Sequence, residues 1–279
     1  MILSDKYSKL KEILTGLESV AVAFSGGVDS TFLLKVAHDV LKDKAIAVTA
    51  RSSTYPEREF NEATEYAKSF GAKHVVIVSE ELDIEGFSKN PVNRCYYCKH
   101  ELFTKVRTVA DEYGIKHVLD GSNLDDLLDF RPGMHAAKEL NVVSPLKEAQ
   151  MTKDDIRQLS KELGIATWDK PAFACLSSRF PYGHEITAPK LKMVELAEQF
   201  LLDLGFRQLR VRHHENIARI EVAKDERVKF FDKDLMDQIG NYFKEIGFDY
   251  VTLDLLGYRT GSMNEVLSEN VKKNSLNNK

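Results

Sequence analysis

The six-residue word "SGGVDS", Ser25–Ser30, constrains the fold of this chain more than any other stretch. It follows "SVAVAF", a short apolar and β-branched run, and opens "VDSTFLLKVAHDVL", whose apolar residues recur at helical spacing. The local reading is strand, glycine turn, helix. Consecutive backbone N–H groups in such a turn form an anion-binding nest, and the helix N-terminus adds roughly half a positive charge. Gly26 and Gly27 let the backbone approach phosphate oxygens with no Cβ in the way, and Ser25 and Ser30 add hydroxyl donors. No lysine follows the glycines as in a Walker A loop, and the dinucleotide GxGxxG pattern is absent. A plain Gly–Gly turn with a capping aspartate is the bland alternative, and the full word at a strand-to-helix junction argues against it.

The alternation then repeats. "KAIAVTA" predicts a second strand and "PEREFNEATEYAKSF" a helix with Pro56 at its start. "KHVVIVS" predicts a third strand, "CKHELFTKVRTVADEYG" a helix ending on Gly114, and "KHVLDGS" a fourth strand. "VVSPL" offers a fifth, followed by "MTKDDIRQLSKELG", which Thr152 can cap and Gly164 ends. Strands alternating with helices of this length predict an α/β fold, a doubly wound parallel sheet covered on both faces. Ligands of such sheets bind at the carboxyl ends of the strands. After "SSRFPYG" the grammar changes to helix, two strands able to form a hairpin, helix and strand, which predicts a smaller C-terminal α+β domain. The expected boundaries are 1–183, 184–267 and a polar, disordered tail at 268–279.

Composition excludes several classes. The chain of 279 residues is 43% hydrophobic and 29% charged, the balance of an ordinary soluble globular protein. No apolar run approaches the ~20 residues that cross a bilayer. The start, "MILSDKYSKLKEIL", has charges inside its apolar pattern, so we expect an amphipathic helix in a cytoplasmic protein without a membrane partner. A net charge of −4 argues against a protein that coats nucleic acid. Three cysteines make no disulfide framework. Two of them form a CxxC, Cys95 and Cys98 in "NRCYYCKHEL", and the third, Cys175, lies in "AFACLSSRF". The pair alone admits a zinc clip, a redox dithiol or part of a larger site.

"AFSGGVDST" resembles the SGGxDS motif of the PP-loop ATP pyrophosphatases, Rossmann-like enzymes that cleave ATP between the α- and β-phosphates and adenylylate an acceptor oxygen. The resemblance implies that ATP meets Phe24, Ser25, Gly26, Gly27, Asp29 and Ser30, with Gly121 and Asp126 of "DGSNLDD" nearby. It also implies Mg2+ at Asp29 and Asp126. A solvated acidic turn is the alternative for Asp125, Asp126 and Asp129.

Further words, "LDGSNLDDLLDFRPG", "SSRFPYG", "LRVRHHENIARIE" and "YVTLDLLGYRTGSMN", resemble in order and spacing the LarE sulfur transferases of nickel-pincer nucleotide biosynthesis. That family adenylylates a carboxylate of pyridinium-3,5-biscarboxylate mononucleotide and converts it to a thiocarboxylate. Its relatives form homo-oligomers, and its small-molecule nucleotide substrate carries a phosphate and two carboxylates. Guanidinium forks suit such groups, and Arg210 and Arg212 project together from one strand. With Arg179 and Arg259 they form the expected substrate-binding set, completed by the C-terminal domain. Glu221 would orient one of these arginines or accept a proton, whereas His213 and His214 are expected to be structural.

In one form of this family the cysteine matching Cys175 gives up its own sulfur, one turnover consuming the protein. The presence of Cys95 and Cys98 resembles instead a three-cysteine form, in which CxxC and the distal cysteine hold a 4Fe–4S cluster with one iron left for a transferable sulfide. That sulfide, or another sulfur donor, would come from outside the chain. Zinc with His100 as a fourth ligand, a dithiol resolving a persulfide on Cys175, and a buried Cys175 thiol are the alternatives. The rival functions are a tRNA thiolase with a similar cluster, an amide synthetase, which leaves the cysteines without a role, and a nucleotide sensor, which does not need the arginines.

Overall fold

The computed structural model describes residues 2–128, 132–268 and 271. Asp129 and, apart from Ser268 and Val271, the expected disordered tail lie outside the described residues. Packing divides the chain into two units, residues 1–81 with 93–173 and residues 82–92 with 174–279.

The first unit runs α1 (Leu3–Leu17), β1 (Val20–Ala23), α2 (Val28–Leu41), β2 (Ala45–Arg51), α3 (Glu57–Ser69), β3 (Lys73–Val78), α4 (Arg94–Glu112), β4 (His117–Leu119), α5 (Gly133–Glu139), α6 (Pro145–Glu148) and α7 (Lys153–Glu162). Its four strands are parallel in the order β3-β2-β1-β4. Strand side chains alternate between faces, and both faces here are covered. Val20, Val22, Ala45 and Ala47 join Leu10, Phe32, Leu33, Ile156 and Leu159 of α1, α2 and α7 in one core layer. Ala21, Ile46 and Val48 join Phe103, Val106 and Val109 of α4 on the other. The sheet is therefore doubly wound, as the alternating grammar predicts. Phe32 and Phe103 are the large anchors of the two layers, buried to within 1%, and truncating either to alanine would cost roughly 3–5 kcal/mol.

Two local expectations are refined. "VVSPL" contributes one parallel bridge, Leu119↔Val143, because Ser144 and Pro145 turn the chain at once into α6, with Pro145 in its first turn. α4 begins at Arg94 rather than at Cys98, which puts both cysteines of the CxxC on its first turns. α7 starts at a capping box, Thr152 accepting from the Asp155 amide and Asp155 from the Thr152 amide.

The second unit contains α8 (Ala188–Asp203), β5 (Leu209–His214), β6 (Ile217–Val222), α9 (Lys233–Glu245) and β7 (Tyr250–Leu253). β5 and β6 form an antiparallel hairpin, and β7 pairs parallel to β6. One sheet face carries Leu209, Val211, Ala218, Ile220 and Val222, packed against Ala197 and Leu201 of α8 and Ile239 and Phe243 of α9. The register sets Arg210 opposite Glu221 and Arg212 opposite Arg219, all on the other face. That face is charged yet, apart from the partly exposed Arg219, buried: Arg210 and Arg212 are 5% exposed and Glu221 is fully covered. Among the described residues no helix is long and apolar enough to cross a membrane.

Candidate active site

The glycine turn sits where the strand order reverses, between β1 and β4. Gly26 adopts φ +62°, and a Cβ there would lie 2.8 Å from the Cβ of Ala63 on α3. Only glycine meets both demands. Ser30 Oγ accepts from the Ser25 amide at 3.3 Å and lies 3.1 Å from Ser25 Oγ. The carbonyls of the turn are held from behind. Thr49 Oγ1 donates to the Phe24 carbonyl at 2.8 Å, Tyr55 Oη to that of Ser25 at 2.8 Å, and Lys170 Nζ to that of Gly26 at 3.2 Å. Burial works against the Lys170 charge, but Glu59 at 2.7 Å and Glu62 at 2.6 Å outweigh it and hold the ammonium above its ordinary value. Burial, reinforced by Glu59 and Glu62, pushes the Tyr55 phenol far up, so it stays a neutral donor.

The loop after β4 approaches the start of α2 closely, a Cβ at Gly121 falling 3.1 Å from the Ser30 amide nitrogen. Asp29 is engaged by Lys153 Nζ and, at 3.4 Å, by Asn123 Nδ2. Asp126 is 9% exposed and accepts from the Asn123 amide at 3.0 Å. The two carboxylates expected at magnesium are thus linked through Asn123. Their oxygens are hard donors suited to that ion, with Lys153 already occupying one side of Asp29. Asp125 accepts from the Lys153 amide at 2.8 Å, tying the loop after β4 to the start of α7.

Cys95 and Cys98 lie one helical turn apart at the N-terminus of α4, where the helix dipole favours thiolates. Both are partly exposed, and neither is in a disulfide. Cys98 Sγ donates to Glu81 Oε1 at 3.7 Å, and burial pushes the Glu81 carboxyl up. In the second unit, Cys175 precedes a short 3-10 turn, Leu176–Arg179, and is also partly exposed, so it is not a sealed core thiol. All three sulfurs are soft donors of the kind iron–sulfur clusters take. Among the described residues no three His, Cys, Asp or Glu side chains are gathered into a metal-binding group.

The expected arginine set is already engaged with carboxylates and carbonyls. Arg179 makes a bidentate pair with Glu198 and donates to the carbonyls of Ala174 and Cys175 at 2.6 and 3.0 Å. Burial opposes both charges, yet the pairing holds Glu198 below and Arg179 above their ordinary values. Arg212 donates to Glu221 at 2.7 Å, to Ser262 Oγ at 3.0 Å and to the Ser178 carbonyl at 3.0 Å. Glu221 also accepts from Arg219 at 2.9 Å, so it orients two guanidinium groups at once. Arg210 lies over the Tyr258 ring at 5.2 Å, and burial together with the nearby Arg179 charge pushes it down to about 10. Arg259 pairs with Glu265 at 3.0 Å and, at the margin, with Asp254 at 3.5 Å. His213 stacks on Phe180, ring centroids 5.0 Å apart, a packing role.

Thr49, Tyr55, Glu59, Lys153, Lys170, Glu81 and Glu198 carry this geometry, and no sequence motif singled them out, whereas Asn123 lay inside "DGSNLDD" with no role assigned. Lys170 had one usable signal, its place in "WDKPAFACLSSR" a few residues before Cys175.

The pyridinium-3,5-bisthiocarboxylic acid mononucleotide synthase of Lactiplantibacillus plantarum is 39% identical to this chain over 268 residues, 96% of each sequence. This chain belongs to the LarE family. It is thereby an ATP-using sulfur transferase of the PP-loop superfamily. This LarE protein is also 44% identical over 268 residues to an uncharacterised protein of Synechocystis sp., covering 96% of this chain and 100% of the other. It is 32% identical over 263 residues to an uncharacterised protein of Methanocaldococcus jannaschii, 93% and 100% of the two chains. A family model described as asparagine synthase matches residues 10–92, the part of the LarE chain that contains the glycine turn.

Proposed function

We propose that this enzyme adenylylates a carboxylate of pyridinium-3,5-biscarboxylate mononucleotide and converts it to a thiocarboxylate. The observation that carries the reading is the end-to-end similarity to the named L. plantarum synthase, supported by a phosphate nest at the sheet's switch point. A substrate carboxylate oxygen attacks the α-phosphorus of ATP, the α–β bridging P–O bond breaks, and pyrophosphate leaves. The N–H groups of the nest bind the departing phosphates, and Asp29 and Asp126 would hold the Mg2+ that neutralises them. A sulfur nucleophile then attacks the activated carbon, and AMP departs with the carboxylate oxygen. The arginine face of the second unit supplies the guanidinium chemistry for a substrate with one phosphate and two carboxylates, Glu221 orienting Arg212. The soft donor set supports a 4Fe–4S cluster on Cys95, Cys98 and Cys175, which when bound supplies a renewable sulfide. Thiols outside disulfides fit a reducing cytoplasm, and the family resemblance supports a homo-oligomer.

The test combines an assay with metal analysis. With ATP and Mg2+, AMP and pyrophosphate should form only when the pyridinium biscarboxylate is added, and failure of that dependence would sink the substrate assignment. Anaerobic protein should hold about four irons and four acid-labile sulfides per chain, lost in Cys95→Ala. Stoichiometric zinc would make the cysteines structural. A metal-free protein in which Cys175→Ala alone blocks transfer would make Cys175 the consumed donor.

A further inference from the structure

Three successive carbonyls of the glycine turn, those of Phe24, Ser25 and Gly26, are each held by a side chain from elsewhere in the first unit. Thr49 comes from β2, Tyr55 from the lead into α3, and Lys170 from the segment after α7. Thr49 and Lys170 are themselves fixed, and the Tyr55 hydroxyl, with one proton, is nearer the Ser25 carbonyl at 2.8 Å than the Glu59 carbonyl at 3.1 Å. The Thr49 hydroxyl spends its single proton on the Phe24 carbonyl, so His74 Nε2, 2.8 Å away, must donate to Thr49. Arg157 anchors the backbone at Lys170 by donating to the Trp168 and Lys170 carbonyls at 2.6 and 2.7 Å. The Lys170 ammonium has three donors and three acceptors, namely Gly26 O, Glu59 and Glu62. It has no donor left for a phosphate.

A trans peptide is planar, with its C=O and the following N–H pointing in opposite directions. Holding the Ser25 and Gly26 carbonyls toward Tyr55 and Lys170 therefore aims the Gly26 and Gly27 N–H groups the other way. Neither N–H has a protein acceptor among the described residues, whereas the Ser25 N–H is taken by Ser30 Oγ. Gly26, with φ +62° and no side chain, would otherwise let these planes rotate.

We propose that Tyr55 and Lys170 are positioning residues for pyrophosphate, presetting the two free N–H donors of the nest, while Thr49 fixes the preceding plane, whose N–H serves Ser30. The inference rests on the reading of the turn as an ATP-phosphate cradle. A preset nest avoids the cost of ordering donors as the anion arrives.

The test is calorimetric titration of inorganic pyrophosphate, with Mg2+, into the full chain and its variants, beside thermal melts and ATP kinetics. Tyr55→Phe removes one hydroxyl and leaves the Lys170 ion pairs intact. It should weaken pyrophosphate binding about tenfold and raise KM for ATP, with KM for the pyridinium substrate unchanged. Lys170→Met should weaken it at least as much, and Lys170→Arg, which can still donate to a carbonyl, should recover part of the loss. Should Lys170→Met fail to fold, Tyr55→Phe decides the matter. Folded variants that bind pyrophosphate like the wild type overturn the inference alone. A wild type that binds no pyrophosphate overturns the cradle reading and this inference with it.

Discussion

Arg179 and Glu198 share two parallel N–H···O bonds, Nε to Oε1 and Nη2 to Oε2, both 2.8 Å, with the arginine wholly buried and the glutamate 3% exposed. Glu198 also accepts from the Val211 amide, tying α8 to β5. A buried pair of this kind is costly to split, because removing one partner strands the other charge. Glu198→Ala should lower the unfolding free energy by about 3–5 kcal/mol, read from denaturant midpoints. A double Arg179→Met, Glu198→Leu variant should recover most of that loss. A double variant as unstable as the single one would show that the pair does more than neutralise charge.

Gly26→Ala tests the backbone of the nest. The new Cβ meets Ala63 at 2.8 Å, and alanine pays about 1–2 kcal/mol to hold a positive φ. ATP turnover should fall by more than tenfold, and Gly26→Ala with Ala63→Gly should regain little, since the Cα of residue 63 still lies 3.0 Å from the new Cβ and the φ penalty remains. Full recovery in the double variant would make the clash the only constraint.

His213 predicts a pH effect. Burial first, then the Lys190 charge, pushes its folded value down to about 4, against about 6.5 for an ordinary histidine. Between those values the unfolded chain binds a proton that the folded chain refuses, so stability rises with pH across this window. Unfolding curves should therefore show stability falling as pH drops from about 6.5 toward about 4. The part due to this ring should vanish in His213→Phe, which keeps the stack on Phe180. An unchanged slope in that variant would assign the effect to other groups.

Glu221→Gln keeps the shape but removes the charge shared by Arg212 and Arg219. Stability should drop by about 1–3 kcal/mol from lost charge-assisted bonds. KM for the pyridinium substrate should rise while KM for ATP stays put. A loss confined to kcat, with a shifted pH profile, would instead make Glu221 a proton acceptor.

Much of the first unit was legible in the sequence, because its signals are local. β-branched runs between glycine turns specify strands, buried in β1 and β2 and partly exposed in the edge strand β3, and Thr152 with Asp155 specifies a capped helix start. The start of α4 lies four residues before the sequence signal, since Cys95, Tyr96, Tyr97 and Cys98 are weak helix formers and no capping side chain bonds at Asn93. The glycine turn was legible as a word, yet its three holders were not. Thr49 and Lys170 stand 25 and 144 residues from the carbonyls they hold, and even the place of Lys170 before Cys175 does not say which carbonyl it reaches.

The arginines divide the two kinds of knowledge most plainly. Residue type and period-two spacing determined that Arg210 and Arg212 share a strand face, because the pleat leaves no other arrangement. Glu221 was legible as a partner for one of them, but that it takes Arg212 and Arg219, and that Arg179 meets Glu198, was decided only by tertiary structure. Glu198 reaches Arg179 from α8, and Glu221 reaches Arg212 through the hairpin register. Local sequence dictates where a side chain points along its own element, through backbone sterics that act over a few residues. What it meets there depends on how whole elements pack, and burial of a charge makes that meeting obligatory.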